Sequence, residues 1–185
     1  MNLSKKKIKI GTILPYKENY TFSSAQAAAI WVCDFFKYSK YKKHNYIFGN
    51  TLKKDFLTKN YINIPIKNKK SKFTSTTNEY CKNLILKINS YNFDIIEVHN
   101  RPQIFNILEK KIDKKFILYF HNDPLSMKGS KSIKERLYLL NSVHKIIFVS
   151  KWTQNRFFKD MDKKLVNKTN VVYPSIHKSK KIYKK

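Results

Sequence analysis

Five apolar or aromatic residues follow one another without alternation at positions 116–120, and a polar group, His-Asn-Asp-Pro, occupies positions 121–124. A short run of this kind predicts a strand covered on both faces, as in a parallel sheet between layers of helices. Open parallel sheets bind their ligands just beyond the carboxyl ends of their strands. The polar group at 121–124 therefore lies where an α/β protein would place its chemistry.

Strands and helices alternate along most of the chain, as its apolar periodicity indicates. Strands are predicted at residues 8–14, 45–48, 61–66, 93–98, 116–120, 145–149 and 171–173. Helices are predicted to begin at Ser23 or Ser24, at 74, at 103, at Ser130 or Ser132, and at Ser150 or Lys151. This order predicts an α/β protein with a Rossmann-like three-layer α/β/α sandwich and a mostly parallel sheet.

The length and the charge of the chain set further expectations. With 185 residues, one domain is expected, over residues 1–177, followed by a basic and disordered tail at 178–185. The formal net charge is +27, yet only three of the 39 basic residues are arginine. Specific phosphate and base recognition favours arginine, so the charge is either a compositional bias or the signature of an anionic partner.

Apolar positions inside the predicted helices identify core residues. Cys33 and Cys81 fall among them without CxxC spacing, so both are expected to be buried free thiols in a reducing cytoplasm. In the helix that ends at Ser142, the residues Ile133, Leu137 and Leu140 are expected to face inward. No apolar run approaches the length that spans a membrane, and the basic start of the chain is interpreted as leading into a first strand.

Polar residues follow three successive predicted strands, and parallel strands would bring them to one edge of the sheet. We interpret this edge as a shared functional surface. The three groups are His99, Asn100 and Arg101; His121, Asn122 and Asp123; and Ser150 with Lys151.

Each of these residues also has a purely structural interpretation. His121 either faces a ligand or hydrogen-bonds a neighbouring loop. Arg101 either grips a phosphate or carboxylate, or covers the edge of the sheet. Glu97 would sit at a wet strand end, pair with a lysine or arginine, or act as a base, because a lone buried charge is costly.

Several site classes lack their sequence signature. Gly11 stands alone without a G-x-G-x-x-G fingerprint, which argues against a dinucleotide site, and no Walker or G-x-S-x-G motif is present. His99, His121 and Asp123 lack a metal-ligand spacing, so no metal and no cofactor are predicted. The first turn of the first helix, near Ser23 and Ser24, is expected to offer free backbone N–H groups to an anion.

The ordered blocks IKIGTILPY, DIIEVHNRP, FILYFHNDP, KIIFVSKWTQNRF and NVVYPSI resemble the N-terminal, acceptor-side domain of bacterial family 4 glycosyltransferases, which is one half of a GT-B fold. The resemblance implies that His121 lies at the interdomain cleft and contacts the donor sugar. It also implies that Ser23 and Ser24, where the family commonly has paired glycines, approach the donor phosphates or the acceptor.

The same resemblance supplies the remaining predicted site residues and the function. His99, Asn100 and Arg101 would line the acceptor side, and Asn122 and Ser150 are counted with the residues that bind donor or acceptor. The implied activity is transfer of a sugar from a nucleotide-sugar to a glycan or lipid-linked acceptor in lipopolysaccharide or surface polysaccharide synthesis.

The family's second domain holds the nucleotide, so a separate C-terminal glycosyltransferase domain is an expected partner and the chain is expected to be incomplete alone. A cytoplasmic location with peripheral contact to an anionic membrane is also expected. The alternative is a non-catalytic basic α/β module that binds nucleic acid or an anionic membrane surface. Nucleic acid is the less favoured of these partners, because the lysines are spread along the chain.

Overall fold

A computed structural model describes residues 7–66 and 75–174 of the chain. Seven strands form one sheet in the order β3-β2-β1-β4-β5-β6-β7, and every neighbouring pair is parallel. The strands are β1 (Ile10–Ile13), β2 (Asn45–Gly49), β3 (Tyr61–Asn63), β4 (Ile95–His99), β5 (Lys115–Phe120), β6 (Lys145–Phe148) and β7 (Thr169–Val171). The helices are α1 (Ala27–Tyr38), α2 (Thr76–Asn89), α3 (Pro102–Leu108), α4 (Ile133–Ser142) and α5 (Lys151–Phe157). The predicted Rossmann-like α/β fold is therefore confirmed.

The helices divide unequally between the two faces of the sheet. Side chains of α2, α3, α4 and α5 share one apolar core with residues such as Val98, Leu118 and Phe148. Helix α1 packs on the other face, in a smaller core around Ile47 and Tyr61. Right-handed crossovers explain this division. The chain moves across the sheet in one direction from β1 to β2 and in the opposite direction from β3 onward, so the connecting helices lie on opposite faces.

The strand β5 is covered on both faces only over part of its length. Leu118, Tyr119 and Phe120 are buried, as the unbroken apolar run predicts. Ile117 is half-buried and lies on the same face of the sheet as α1, beyond the part that α1 covers. The register aligns His99 of β4 with Tyr119 of β5, so the carboxyl ends of these central strands meet at one edge.

Serine caps begin three of the five helices that the described residues form. Ser75 accepts from the Asn78 N–H, Ser132 forms a capping box with Glu135, and Ser150 accepts from the Thr153 N–H. The predictions at Ser132 and Ser150 are thereby confirmed. Helix α1 differs, because it begins at Ala27 and its N-cap residue, Gln26, makes no side-chain capping bond.

The inward face of α4 was predicted only in part. Leu140 is buried, but Ile133 and Leu137 are 41% and 38% exposed. The helix docks through Arg136, Leu139 and Leu140 instead, because an arginine that bonds backbone carbonyls takes an inward position.

Both cysteines are buried and free, as predicted. Within residues 7–66 and 75–174, no helix is both long and apolar enough to cross a membrane. The predicted basic loop at 67–72 and the predicted tail at 178–185 lie outside the described residues.

Candidate functional site

The central feature of the sheet edge is a pair of histidines. His99 ends β4, His121 directly follows β5, and His99 Nδ1 lies 2.9 Å from His121 Nε2. Burial lowers the pKa of His99 well below its usual range, helped by the neighbouring His121 ring, and burial alone lowers the pKa of His121 to about 4. At neutral pH the two rings are therefore an uncharged hydrogen-bonded pair.

Aromatic rings enclose the pair. The Tyr119 ring stacks on His99 with centroids 4.3 Å apart, and the Trp31 ring meets His121 edge-on at 5.2 Å. Trp31 reaches this position from α1, because the helix crosses the face of the sheet on which His99 and Tyr119 lie. These contacts fix the ring planes and exclude water from most of the pair.

A half-buried carboxyl group lies below the histidines on β4. Glu97 accepts a hydrogen bond from the Tyr119 hydroxyl at 3.0 Å, and its other oxygen lies 2.8 Å from Thr12 Oγ1. Burial raises the pKa of Glu97, and these hydroxyl contacts offset only part of the rise. The Thr12 hydroxyl has one proton and faces both Glu97 and Asn45 Oδ1, the latter at 3.0 Å, so its hydrogen bond to Glu97 competes with the one to Asn45. Of the three interpretations of Glu97, pairing with a lysine or arginine is not found among the described residues, where Thr12 and Tyr119 are its partners.

Asn100 shapes the loop that carries His121. Its backbone has a positive φ of 56°, which asparagine tolerates better than most residues. Its side-chain oxygen accepts from the His121 N–H at 3.3 Å and from the Asn122 N–H at 3.2 Å. Asn100 therefore ties the end of β4 to the turn after β5, and both Asn100 and Asn122 line the cleft described below.

The predicted residues Arg101 and Ser150 are near this edge but do not line the cleft. The Arg101 guanidinium lies 6.0 Å from the Tyr16 ring centroid, and its Nε is buried without a partner among the described residues. Ser150 is committed to capping α5, since its oxygen accepts from the Thr153 N–H at 3.1 Å. Asp123 likewise serves the fold, because it forms an ion pair of 2.9 Å with Arg156.

The predicted helix start at Ser23 or Ser24 is wrong, because α1 begins at Ala27, while the predicted role of both serines in binding donor or acceptor stays a prediction. Both serines precede the helix: the Ser24 hydroxyl bonds the Thr21 hydroxyl at 2.9 Å, and the Ser23 N–H donates to Asp55 at 3.2 Å. Glu18 supplies an acceptor to the first helical turn, because its carboxylate accepts from the Ala29 N–H at 3.0 Å and also bonds the Ala28 N–H. A protein carboxylate thus occupies the position that was predicted for a ligand's anion.

An open cleft of about 510 Å³ lies at this edge of the sheet. Its wall includes Glu18, Trp31, Asp34, Asn100, His121 and Asn122. The described residues that line it include two carboxylates and no lysine or arginine, although the chain carries a net charge of +27. Asparagine, carboxylate and indole groups suit a polyhydroxylated ligand, whereas a diphosphate would find no cation in this wall.

Sequence reasoning missed Glu18, Trp31 and Asp34 as cleft residues. Trp31 and Asp34 belong to a helix that its apolar sequence assigns to the core. The structure buries only part of this helix, namely Ala28, Ala29, Val32 and Cys33. In the described residues, no third metal-binding side chain joins the two histidines.

Several solved structures share this fold. HepE from Anabaena in complex with UDP and glucose superposes with a TM-score of 0.59 at 14% identity, over 91% of this chain and 45% of that chain. A sucrose-phosphate synthase chain from Thermosynechococcus elongatus gives a TM-score of 0.63 at 9% identity, over 91% of this chain and 90% of that one. A glycosyltransferase from Rickettsia africae gives 0.59 at 17% identity, over 91% and 43%.

The same fold occurs in an enzyme of another class, UDP-N-acetylglucosamine 2-epimerase from Rickettsia bellii, with a TM-score of 0.56 at 9% identity over 91% of this chain and 45% of that chain. No protein-family model and no curated protein matches the sequence. The chain therefore has the Rossmann-like fold of a domain of GT-B glycosyltransferases and epimerases. It spans less than half the length of HepE.

Proposed function

We propose that the chain is the acceptor-side domain of a glycosyltransferase that moves a sugar from a nucleotide-sugar to a glycan or lipid-linked acceptor. The observation that carries the proposal is the position of His121. It lies at the carboxyl edge of an all-parallel sheet, in a cleft of carboxylate, amide and indole groups, on a fold also found in a protein solved with UDP-glucose.

Catalysis of sugar transfer needs positive charge near the leaving diphosphate, and the described wall of the cleft supplies none. We therefore assign the diphosphate to a second domain, encoded with this chain or separately. HepE is more than twice as long as the region that matches this chain, which supports the assignment of the diphosphate to a second domain. Lipopolysaccharide or another surface polysaccharide is the proposed product, made at the cytoplasmic face of the membrane.

The test uses this chain mixed with a separately produced donor-binding domain and a radiolabelled nucleotide-sugar. Sugar transfer to a glycan or lipid-linked acceptor is expected from the mixture and not from either part. His121→Ala is expected to lower kcat by about a hundredfold, the typical loss when one preorganised donor is removed. Robust transfer by this chain alone would refute the need for a second domain.

A matched variant and a second assay sharpen the result. His144→Ala removes an exposed histidine that precedes β6, at the opposite edge of the sheet, and is expected to retain full transfer. Incubation with the nucleotide-sugar alone separates the two enzyme classes that share the fold. A changed sugar configuration without an acceptor would identify an epimerase and would reject the transferase proposal.

A further inference from the structure

The bond between His99 and His121 has two neutral arrangements with opposite chemistry. Either His99 Nδ1–H donates to His121 Nε2, or His121 Nε2–H donates to His99 Nδ1. In the first arrangement His121 carries its remaining proton on Nδ1 and offers a donor to a ligand. In the second arrangement Nδ1 is bare, and His121 offers an acceptor that could serve as a base.

The buried end of His99 distinguishes the two arrangements. The residue is 1% exposed, and its Nε2 has no hydrogen-bond partner among the described residues. The second arrangement would place a proton on this Nε2, which creates a buried N–H without an acceptor. Orphaned buried N–H groups are rarer than under-satisfied acceptors, so the first arrangement is favoured.

A charged pair is disfavoured by the surroundings. The carboxyl group of Glu97 is engaged with Thr12 and Tyr119, and the faces of the two rings meet Trp31 and Tyr119. The carboxylates that line the cleft with His121 are engaged elsewhere, Glu18 with the Ala29 N–H and Asp34 with Lys37, so an imidazolium here would lack a carboxylate partner in the described part of the chain. The lowered pKa values of both histidines agree with two neutral rings.

We propose that His99 is a positioning residue that holds His121 as its Nδ1–H tautomer, so that His121 donates a hydrogen bond into the cleft. His121 Nδ1 makes no hydrogen bond within the described residues. It is also not sealed inside the protein, because His121 lines the open cleft, so a ligand can reach it. Under the proposed function, which this inference extends, the atom that it recognises is a sugar oxygen. His121 then orients or stabilises that oxygen and does not remove its proton.

Two further contacts keep His121 in place for this role. Asn100 accepts from the His121 backbone N–H, and Trp31 packs edge-on against the ring. These contacts fix the backbone and the ring plane of His121. His99 then determines which ring nitrogen of His121 carries the proton.

Long-range ¹H–¹⁵N correlation spectra of the ¹⁵N-histidine-labelled chain test the tautomer directly at pH 7.5. Both His99 and His121 are expected as Nδ1–H tautomers, whereas the opposite arrangement would show both as Nε2–H and would overturn the proposal. The measurement needs no activity, so it stands or falls independently of the transferase assay.

Two variants of His99 separate positioning from packing. His99→Asn keeps an N–H near the position of Nδ1, and His121 is expected to stay an Nδ1–H tautomer. His99→Leu removes the donor, and His121 is expected to lose the preference for Nδ1–H. If either variant fails to fold, as judged by its amide spectrum, the wild-type tautomer still decides the question.

In the reconstituted enzyme, His99→Leu is expected to lower kcat by about ten- to a hundredfold with a smaller change in KM, since a misplaced group affects the transition state most. His99→Asn is expected to recover most of this loss. Equal losses in both variants, with His121 unchanged in the spectra, would assign His99 a packing role only and would refute its positioning role.

Discussion

Glu18 and Ala29 are joined by a hydrogen bond of 3.0 Å from the Ala29 N–H to the Glu18 carboxylate, which ties the loop after β1 to the first turn of α1. Burial raises the pKa of Glu18, and the bonds from the Ala29 and Ala28 N–H groups and the nearby Arg101 charge lower it in part. The helix therefore receives its N-terminal cap from a side chain outside its own sequence. This cap also turns an expected anion site into an acidic part of the cleft wall.

Replacing Glu18 tests the cap. Glu18→Ala is expected to lower the free energy of unfolding by about 1 to 2 kcal/mol, because helix N–H groups lose their acceptor and its charge. Glu18→Gln, which keeps an acceptor oxygen, is expected to lose less. Urea denaturation measures both, with Gln26→Ala as the control, since Gln26 makes no capping bond. Equal losses in Glu18→Ala and Gln26→Ala would contradict the assignment.

The buried Arg136 guanidinium is expected to contribute more to stability. It donates to the Ser132, Phe157 and Lys159 carbonyl oxygens and so joins α4 to the end of α5. Arg136→Ala is expected to cost about 2 to 4 kcal/mol, because several buried acceptors lose their donor. Arg136→Lys should retain part of this stability. Lys134→Ala, at an exposed residue of the same helix, is the control. Thermal unfolding of Arg136→Ala that matches Lys134→Ala would refute the prediction.

Glu97 predicts a pH effect on stability. Its pKa is raised in the folded chain from the ordinary value of 4.5, so the folded state holds this proton more tightly than the unfolded state does. Its contribution is fully present below pH 4.5 and is lost as the pH rises through the raised pKa. Glu97→Gln keeps the hydrogen bonds without titrating, so its Tm relative to the wild type is expected to increase with pH.

Melting curves of both proteins between pH 4.5 and 8 measure this difference. Asp113→Asn, at an exposed carboxylate, is the control and should track the wild type. A Glu97→Gln curve that runs parallel to the wild-type curve over the whole range would show that Glu97 titrates alike in the folded and unfolded states.

The histidine pair predicts a pH dependence of stability that is opposite in sign to the one that Glu97 causes. The pKa of His121 falls from 6.5 to about 4 on folding, so the unfolded state binds protons first as the pH drops. Its stabilising contribution is complete above pH 6.5 and is lost as the pH falls toward 4. The expected loss is about 2 kcal/mol between pH 6.5 and 5. Urea titrations of wild type and His121→Asn check it, and an unchanged pH slope in the variant would count against the buried neutral pair.

The architecture could be predicted from local sequence patterns because each element carries its own periodicity. Tyr80, Leu84 and Ile88 recur at helical spacing, and all three are buried in α2. The uninterrupted apolar run in β5 identified a central strand and hence the position of His121. The parallel arrangement of the strands followed from their alternation with helices, which needs no side-chain detail.

The partners of the site residues could not be predicted, because they depend on contacts between distant segments. Glu97 and Tyr119 are 22 residues apart, and their bond requires the register between β4 and β5. Trp31 resembles a core residue in sequence, yet it covers the histidines because α1 packs on the face of the sheet where His99 and Tyr119 lie. Pattern reasoning thus located His121 but could not identify what controls its proton.

The parallel sheet also has a practical use, because its two edges differ. The cleft occupies the carboxyl edge, whereas the segment between α3 and β5 lies at the opposite edge and includes the exposed Asp113. Both native cysteines are buried, so an Asp113→Cys variant would carry a single accessible thiol remote from the cleft. A fluorophore or a biosensor surface attached there would leave the cleft unobstructed, so sugars and partner domains could be screened on the immobilised chain.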